Sequence, residues 1–378
     1  MTLYFDHHAT TPPSEAVIAA TVAAMRIAGN ASSSHEGGRR AKAVVEDARR
    51  CIADTLGDVD PNDVIFVGSA SEGNTLALKG AVERWWMQRR VKPRVMVSAI
   101  EHSSVLAPAR RMAERGMCDL DVIPVGPSGI VDVRDVANLL RPNTAIVSVQ
   151  STNNEIATIQ PVEAIHALCR SANVIHHVDG AQDFGKIHRR GAPWDVFIGS
   201  GHKIGANVGI AFVHFAPHVF DRIEPQTLGG TQQRDMRGGT LPVQLCAGFA
   251  AACREVRELC RGDGTVVGGL SGEPLRLAYM RDTLAKYLFD NVQDVRVNGA
   301  MDKFVWDNQP VIDASSRKRL YSNLNVTLGG VCPISLGAEL APYVDVSAAA
   351  ACKSLGGDRS HVLEAIGSPN DGADLRFG

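Results

Sequence analysis

The strongest constraint on the fold is the alternation of short apolar segments with amphipathic helical segments through the first two thirds of the chain. The apolar segments are rich in β-branched residues: Val64–Val67, Val95–Ile100, Ala145–Gln150, Val174–Val178, Val196–Ile198 and Ile210–Phe215. Continuous apolar strands that alternate with helices are typical of a mostly parallel sheet, covered by helices on both faces. The sequence therefore predicts an α/β fold with a large domain over residues 14–260.

A second, smaller domain is predicted for the rest of the chain. Beyond the Gly-rich stretch Gly262–Gly272, one helical pattern and two apolar strand patterns indicate an α+β unit. We assign residues 1–13 and 261–378 to this unit. The polar stretch Met301–Arg319 predicts a loop-like insert within it.

Composition excludes several classes of protein. A chain of 378 residues with 45% apolar and 21% charged residues is ordinary for a globular protein. Its formal net charge of −2 gives no electrostatic footprint for nucleic acid or an anionic membrane. No apolar run reaches the roughly 18 residues of a membrane span, and no basic segment opens a secretory signal. We therefore expect a cytoplasmic protein that binds neither membrane nor nucleic acid directly.

The eight cysteines of the chain include no C-x-x-C pair, which favours reduced thiols.

The segment VGSASEGN, Val67–Asn74, follows an apolar strand and begins a helix. Ser69 and Glu72 have the spacing of a capping box. The free N–H groups of a helix N-terminus, together with Ser hydroxyls, are suited to phosphate. The alternative interpretation is an ordinary helix cap without a ligand.

Two further segments carry a carboxylate and an amine at predicted strand ends. Asp179, in HHVDGAQ, lies where ligands bind in α/β sheets, and its carboxylate could hold a protonated ring nitrogen. Lys203, in GSGHKIG, lies among small residues, where a desolvated amine could form a Schiff base. Taken alone, Asp179 could be a structural turn cap and Lys203 a surface lysine.

Together, a phosphate site, a carboxylate for a ring nitrogen and a Schiff-base lysine are the parts that pyridoxal phosphate requires. A competing interpretation is a 2-His-1-carboxylate iron site made by His177, Asp179 and His202. The alternation of strands and helices disfavours it, because such sites usually lie in a cupin-like barrel. The sequence therefore predicts pyridoxal phosphate and no metal.

The segment AAAACKSLGG places Cys352 among small residues and next to Lys353. A nearby cation favours the thiolate, which is the nucleophilic form of cysteine. The alternative is a small buried cysteine that follows an Ala-rich turn.

Over nearly its whole length the chain resembles the cysteine desulfurases, pyridoxal-phosphate enzymes of the aminotransferase class V group. The motifs that carry the resemblance are DHHATTP, GNASSSHEGGR, SASEGN, IEHSSVL, STNNEIATIQP, HVDGAQ, SGHK and MRGGTLPV. The resemblance implies a fold-type I transferase with a seven-stranded, mostly parallel sheet. The cysteine loop resembles the branch with the longer loop, which serves iron–sulfur assembly and tRNA thiolation.

The resemblance also implies which residues bind the cofactor. Lys203 would form the Schiff base, Asp179 would pair with the ring nitrogen and Gln182 would hydrogen-bond the ring hydroxyl. Asn154 would hold the ring or the substrate. The implied phosphate contacts are Ala70, Ser71, Ser200 and His202, with Thr240 supplied by a second subunit of a homodimer.

The implied reaction converts L-cysteine to L-alanine and leaves a persulfide on Cys352 for a protein sulfur acceptor. His102 would stack on the ring and assist proton transfers, and Arg376 would bind the substrate carboxylate. The family loop usually reads Ser-Gly-Ser-Ala-Cys, whereas Ala348–Ala351 precede Cys352 here. Two alternatives stay open: a selenocysteine or C–S lyase that does not need Cys352, and a non-catalytic scaffold for sulfur transfer.

Overall fold

The computed structural model describes residues 2–57, 59–230, 232–261, 271–300, 318–348 and 359–378. Strands and helices are numbered below in chain order. Cys352 and residues 301–317 of the predicted insert lie outside the described residues, as does most of the Gly-rich stretch.

The large domain is built on a seven-stranded sheet in the order β2-β8-β7-β6-β5-β3-β4. Its strands are β2 (Val64–Val67), β3 (Arg94–Ser98), β4 (Asp119–Ile123), β5 (Thr144–Ser148), β6 (Ile175–Asp179), β7 (Val196–Ser200) and β8 (Ala211–Phe215). All residues of β2, β5, β6, β7 and β8 are buried, which explains their uninterrupted apolar runs. The predicted α/β fold with a seven-stranded sheet is confirmed.

Strand direction is parallel from β7 through β6, β5 and β3 to β4. The exception is β8, which runs antiparallel to both β7 and β2. A short segment of chain links β7 to β8. A buried strand of β-branched residues has the same apolar sequence pattern whether it runs parallel or antiparallel to its neighbours. The sequence therefore indicated this strand without its direction.

Helices cover both faces of this sheet. They are α1 (Glu15–Met25), α2 (Glu36–Leu56), α3 (Ala70–Arg89), α4 (Ser103–Glu114), α5 (Val133–Leu139), α6 (Val162–Ser171) and α7 (Val243–Arg261). On one face, apolar residues of α3 and α4 pack against the sheet, and on the other α2 and α7 do so. None of the helices in the described part of the chain is long and apolar enough to cross a membrane.

The C-terminal part forms a four-stranded antiparallel sheet in the order β12-β13-β10-β9. Its elements are α8 (Gly272–Asn291), β9 (Val295–Val297), β10 (Leu324–Gly329), α9 (Pro333–Leu340), β11 (Val344–Asp345), β12 (Ser347–Ala348), α10 (His361–Ala365) and β13 (Gly372–Phe377). The N-terminal strand β1 (Leu3–Tyr4) pairs in parallel with β11. The N-terminal arm thus joins the elements at the C-terminal end of the chain. The domain boundaries drawn from the sequence stay a prediction.

Close packing at the carboxyl end of β6 generates a prediction about stability. A Cβ at Gly180 would overlap the ring of Phe197, which is buried among other aromatic side chains. Overpacking of this kind costs roughly 1–3 kcal/mol. We expect Gly180→Ala to lower the free energy of unfolding by that amount in urea titrations. Gly126→Ala is the control, because a Cβ there meets no heavy atom within 4 Å. Equal unfolding midpoints for the two variants would contradict the packing argument.

Candidate active site

Four of the predicted site residues lie at the carboxyl edge of the parallel strands. His102 follows β3, Asn154 follows β5, Asp179 ends β6 and Lys203 follows β7. Strands that run in the same direction bring their following turns to one edge of the sheet, where ligands bind in open α/β folds. The topology therefore brings together side chains that are about 100 residues apart in the chain, from His102 to Lys203.

Asp179 is the acidic group of this edge and is 6% exposed. Its Oδ1 accepts a hydrogen bond from the backbone N–H of Ala181 at 3.0 Å. Its Oδ2 accepts from Nδ2 of Asn74 at 2.8 Å. Each carboxylate oxygen has about two lone-pair positions, so the carboxylate can accept a further N–H donor.

Lys203 lies in a short 3₁₀ helix, Gly201–Ile204, directly after Ser200 at the end of β7. Its Nζ donates to the backbone carbonyl oxygens of His8 at 2.6 Å and of Ala9 at 2.8 Å. The N-terminal arm therefore orients the amine that the sequence predicts as the Schiff-base lysine.

His202 is neutral at neutral pH in this arrangement. Burial, followed by the charges of Lys203 and Lys186, lowers the pKa of His202 to about 4. Its Nδ1 hydrogen-bonds with Oγ1 of Thr10 at 3.1 Å. The residue next to the predicted Schiff-base lysine thus adds polarity without adding charge.

His102 is the N-cap residue of α4 and is half-buried. Its Nδ1 accepts the backbone N–H of Ser104 at 3.1 Å and lies 2.8 Å from Oγ of the same residue. The pKa of His102 lies below its usual value. Burial is the main cause, the charge of Lys203 lowers the pKa further, and the charge of Asp179 opposes both effects. Because Nδ1 accepts a backbone N–H, the hydrogen of the neutral ring is on Nε2.

The N-terminus of α3 has the predicted cap. Oγ of Ser69 accepts the N–H of Glu72 at 3.2 Å. In return the Glu72 carboxylate accepts the N–H of Gly68 at 2.7 Å, one residue before the position that a capping box would use. Ala70 and Ser71 lie in the first helical turn, whose N–H groups have no acceptor within the helix. This helix end therefore offers donors to an anion.

The side-chain amide of Gln182 has one paired and one unpaired polar atom, which bears on whether a pyridoxal ring fits here. Its Nε2 donates to the carbonyl oxygen of His8 at 3.0 Å. Its Oε1 is buried without a hydrogen-bond partner among the described residues. Buried polar atoms are almost always paired, so this acceptor indicates a missing donor such as a ring hydroxyl. With the carboxylate of Asp179 and the amine of Lys203 nearby, the residues present fit pyridoxal phosphate.

Arg376 already binds a carboxylate, that of Asp6. The guanidinium is 2% exposed, and its Nη2 pairs with Oδ1 of Asp6 at 2.6 Å. Its Nη1 donates to the carbonyl oxygen of Asn154 at 3.2 Å. Oδ2 of Asp6 accepts from Oγ of Ser347 at 2.7 Å, in β12. The predicted substrate-binding arginine thus lies beside Asn154 and is paired within the chain.

Thr240 lies on the surface, directly after Gly239, whose φ is +109°. Arg237, three residues earlier, pairs with Glu72 at 2.9 Å between Nε and Oε1. The turn that carries Thr240 is therefore attached to the first turn of α3. Exposure is compatible with the predicted role toward a second subunit.

Two residues just beyond the segment that contains Cys352 contact the turns of the site. Ser360 caps α10, and its Oγ also donates to the carboxylate of Glu155. His361 Nε2 donates to the backbone carbonyl of Glu101 at 2.9 Å. Glu155 and Glu101 are the sequence neighbours of Asn154 and His102, so α10 is attached to both turns.

Three groups of the site, the buried Asn74 and Glu101 and the half-buried Lys186, were missed in the sequence. Asn74 hydrogen-bonds with Asp179, and Glu101 accepts from Oγ of Ser98 at 2.6 Å and from the N–H of Gln150 at 2.7 Å. Burial raises the pKa of Glu101 to about 8. Burial and the charge of Lys203 lower the pKa of Lys186 to about 8. Asn74 and Glu101 lie inside motifs that the sequence singled out, but only the folded contacts distinguish them from their neighbours.

Comparison with known proteins identifies the class. The aminotransferase class-V family matches residues 3–259, and the chain belongs to this family, whose members use pyridoxal phosphate. A probable mitochondrial cysteine desulfurase of Dictyostelium discoideum is 33% identical over 384 residues, which cover 100% of this chain and 78% of the relative.

A cysteine desulfurase IscS of Glaesserella parasuis is also 33% identical, over 97% of this chain and 84% of the relative. Among solved structures, that of SspA in complex with cysteine has a TM-score of 0.81 and 26% identity. It covers 100% of this chain and 98% of the other. Within the class-V family, the chain thus belongs to the cysteine desulfurases. Among the described residues, no group of three His, Cys, Asp or Glu side chains is placed to hold a metal ion.

The two neighbouring lysines give a direct test of the site. Borohydride reduction links pyridoxal phosphate covalently to the lysine that forms the Schiff base. We expect Lys203→Ala to abolish this link, as measured by the mass of the proteolytic peptides, while Lys186→Ala retains it. The reason is that Lys203 follows β7 at the edge where Asp179 lies. A cofactor adduct on the Lys186 peptide of the unchanged protein would contradict the assignment.

Proposed function

We propose that this protein is a cysteine desulfurase that uses pyridoxal phosphate to convert L-cysteine to L-alanine and a persulfide on Cys352. The observation that carries the proposal is the convergence of Asp179, Lys203 and the N-terminus of α3 at one sheet edge. Its membership of the cysteine desulfurases supports the substrate. The persulfide sulfur is then passed to a protein acceptor, such as an iron–sulfur scaffold or a thiolation enzyme.

The cofactor, when bound, supplies an electron sink that stabilises negative charge at the carbon atoms next to the substrate nitrogen. Asp179 would accept a hydrogen bond from the protonated ring nitrogen and so keep the ring cationic. Gln182 would accept a hydrogen bond from the ring hydroxyl. Ala70 and Ser71 would bind the phosphate at the start of α3, and Ser200 and His202 would bind it after β7.

Lys203 would hold the cofactor through its amine, and the same amine is placed to take a proton from the substrate Cα. Two carbonyl oxygens of the N-terminal arm accept hydrogen bonds from its Nζ, so the ammonium form is stabilised after that proton has arrived. His102 carries its hydrogen on Nε2 and is the second group that moves a proton in the reaction.

Sulfur transfer needs a nucleophile, and we assign this role to Cys352. Its thiolate attacks the substrate sulfur, forming an S–S bond as the C–S bond breaks. The electron pair of the C–S bond stays with the carbon skeleton, which takes up protons and leaves as L-alanine. The sulfur atom therefore leaves the substrate without an external oxidant or reductant.

The substrate carboxylate is assigned to Arg376, with Asn154 beside it. In the described conformation Asp6 occupies one side of the guanidinium, and Nε is buried without a hydrogen-bond partner among the described residues. An arginine carries five N–H donors, so a second carboxylate can bind while Asp6 stays paired. Asp6 then orients the guanidinium that receives the substrate.

A homodimer is part of the proposal. A surface cavity of about 320 Å³ lies between the first turns of α3 and the segment that precedes Thr240, lined among others by Ser71, Thr75 and Met236. Thr240 is exposed, as a residue that completes the phosphate site of another subunit needs to be. Sedimentation equilibrium, which gives the mass of the complex, tests this point.

The cytoplasmic location predicted from the sequence also stays a proposal, because one relative is mitochondrial.

The role of Cys352 can be tested against another thiol of the same chain. Cys332 is exposed, and hydrogen bonds from the first turn of α9 lower the pKa of its thiol. With L-cysteine, dithiothreitol and pyridoxal phosphate, we expect alanine release from the unchanged protein and from Cys332→Ala. We expect Cys352→Ala to bind the cofactor but to lose turnover by at least about a hundredfold, because the sulfur then has no acceptor.

The other outcomes decide between the alternatives. Alanine from Cys352→Ala at the unchanged rate would indicate a lyase that does not use this thiol. No alanine from any of the three proteins, with pyridoxal phosphate bound, would favour a non-catalytic scaffold.

A further inference from the structure

A series of hydrogen bonds links Asp179 to His102 through Asn74 and Ser104. Asn74, in α3, is fully buried, and its Nδ2 lies 2.8 Å from Oδ2 of Asp179. The same nitrogen lies 2.8 Å from Oγ of Ser104, in α4. Ser104 Oγ in turn lies 2.8 Å from Nδ1 of His102. One amide and one hydroxyl thus join the carboxylate of β6 to the imidazole after β3.

The Asp179 carboxylate and His102 Nδ1 lie at the two ends of this series, and they determine the direction of each hydrogen bond between them. Carboxylate oxygens and the hydroxyl oxygen can both accept, so the two hydrogens of the Asn74 amide go to Asp179 and to Ser104. The opposite amide orientation would place its oxygen against the carboxylate of Asp179. The Ser104 oxygen accepts from Asn74, which directs the Ser104 hydroxyl hydrogen toward His102 Nδ1. That nitrogen also faces the backbone N–H of Ser104 at 3.1 Å, so it is an acceptor.

We propose that Asn74 and Ser104 are positioning residues that, together with the Ser104 backbone N–H, hold Nδ1 of His102 as an acceptor by coupling it to the Asp179 carboxylate. The coupling keeps Nδ1 unprotonated, which leaves the only imidazole N–H of His102 at Nε2, the side away from Ser104. What His102 then does with this hydrogen rests on the proposed function, whereas the tautomer does not.

The coupling has a consequence for the protonation of His102. Hydrogen bonds donated to Nδ1 stabilise the neutral ring and disfavour the imidazolium, whose Nδ1–H would point at the Ser104 N–H. The titratable groups around His102 are Asp179 on β6, Lys203 after β7 and the buried Glu101 on the preceding turn. The variants below keep all three residues. Asn74→Leu also removes a hydrogen bond from Asp179, whereas Ser104→Ala does not.

The test is an NMR titration of His102 in the holoenzyme, with its signal identified by its loss in His102→Asn. A single hydrogen bond is worth about one pKa unit or somewhat less. We expect Ser104→Ala to raise the pKa of His102 by about half a unit to one unit, because the neutral ring loses a donor. Ser104→Thr keeps the hydroxyl and should restore the original value. Ser103→Ala is the matched control, because Ser103 is the exposed neighbour in the same helical turn.

Asn74→Leu and the double variant test the coupling itself. If Asn74 acts through the Ser104 hydroxyl, Asn74→Leu should shift the pKa of His102 in the same direction, and the double variant should shift it no further than Ser104→Ala alone. Independent, additive shifts would overturn the proposal. A Ser104→Ala titration identical to that of Ser103→Ala would overturn it as well. This second test remains if Asn74→Leu fails to fold, because Ser104→Ala only removes an oxygen atom and creates no new contact.

The same variants read out the reaction separately. The limb of the pH profile of alanine release that belongs to His102 should move with the NMR value, whereas a merely structural effect would lower the rate at every pH. A protein that releases no alanine but shows the NMR shifts would contradict the proposed function and leave the coupling intact. A protein that releases alanine but lacks the NMR shifts would contradict the coupling and leave the proposed function intact.

Discussion

The structure depends on a buried carboxylate at the end of a parallel strand. Asp179 is 6% exposed, and a charge at that depth is costly unless it is hydrogen-bonded and paired. Asn74 and the Ala181 N–H provide the hydrogen bonds, and the sheet topology brings Lys203 and His102 to the same edge. In the proposed site, a protonated ring nitrogen would complete this arrangement. This edge therefore offers a carboxylate that would suit a cationic ring, and the neighbouring helix end offers N–H donors that would suit a phosphate.

The histidines of the site stay neutral around these charges. Burial lowers the pKa of His102 and brings that of His202 to about 4, so neither competes with Lys203 as the cation at neutral pH. A neutral imidazole can donate from one nitrogen and accept at the other, which suits a group that passes protons. The N-terminal arm supplies the carbonyl oxygens of His8 and Ala9 to Lys203, and its Asp6 pairs with Arg376.

Much of the fold and part of the site could be predicted from the sequence for a common physical reason. A strand buried on both faces has a continuous apolar pattern, and in a parallel sheet the residue after it lies at the ligand edge. That rule locates Asp179 and Lys203. It cannot locate Asn74 and Ser104, since their role depends on how α3 and α4 pack beside β6. The pairing of Arg376 with Asp6 likewise joins the two ends of the chain, and no spacing in the sequence indicates it.

The central claim is that this sheet edge takes sulfur from L-cysteine and places it on Cys352. The most direct measurement is the mass of the Cys352 peptide after the holoenzyme has reacted with L-cysteine without reductant. The account predicts that this peptide gains the mass of one sulfur atom in the unchanged protein and not in Lys203→Ala, while the Cys332 peptide is unchanged. Alanine release without added sulfur on Cys352, or sulfur on the exposed Cys332 instead, would contradict it.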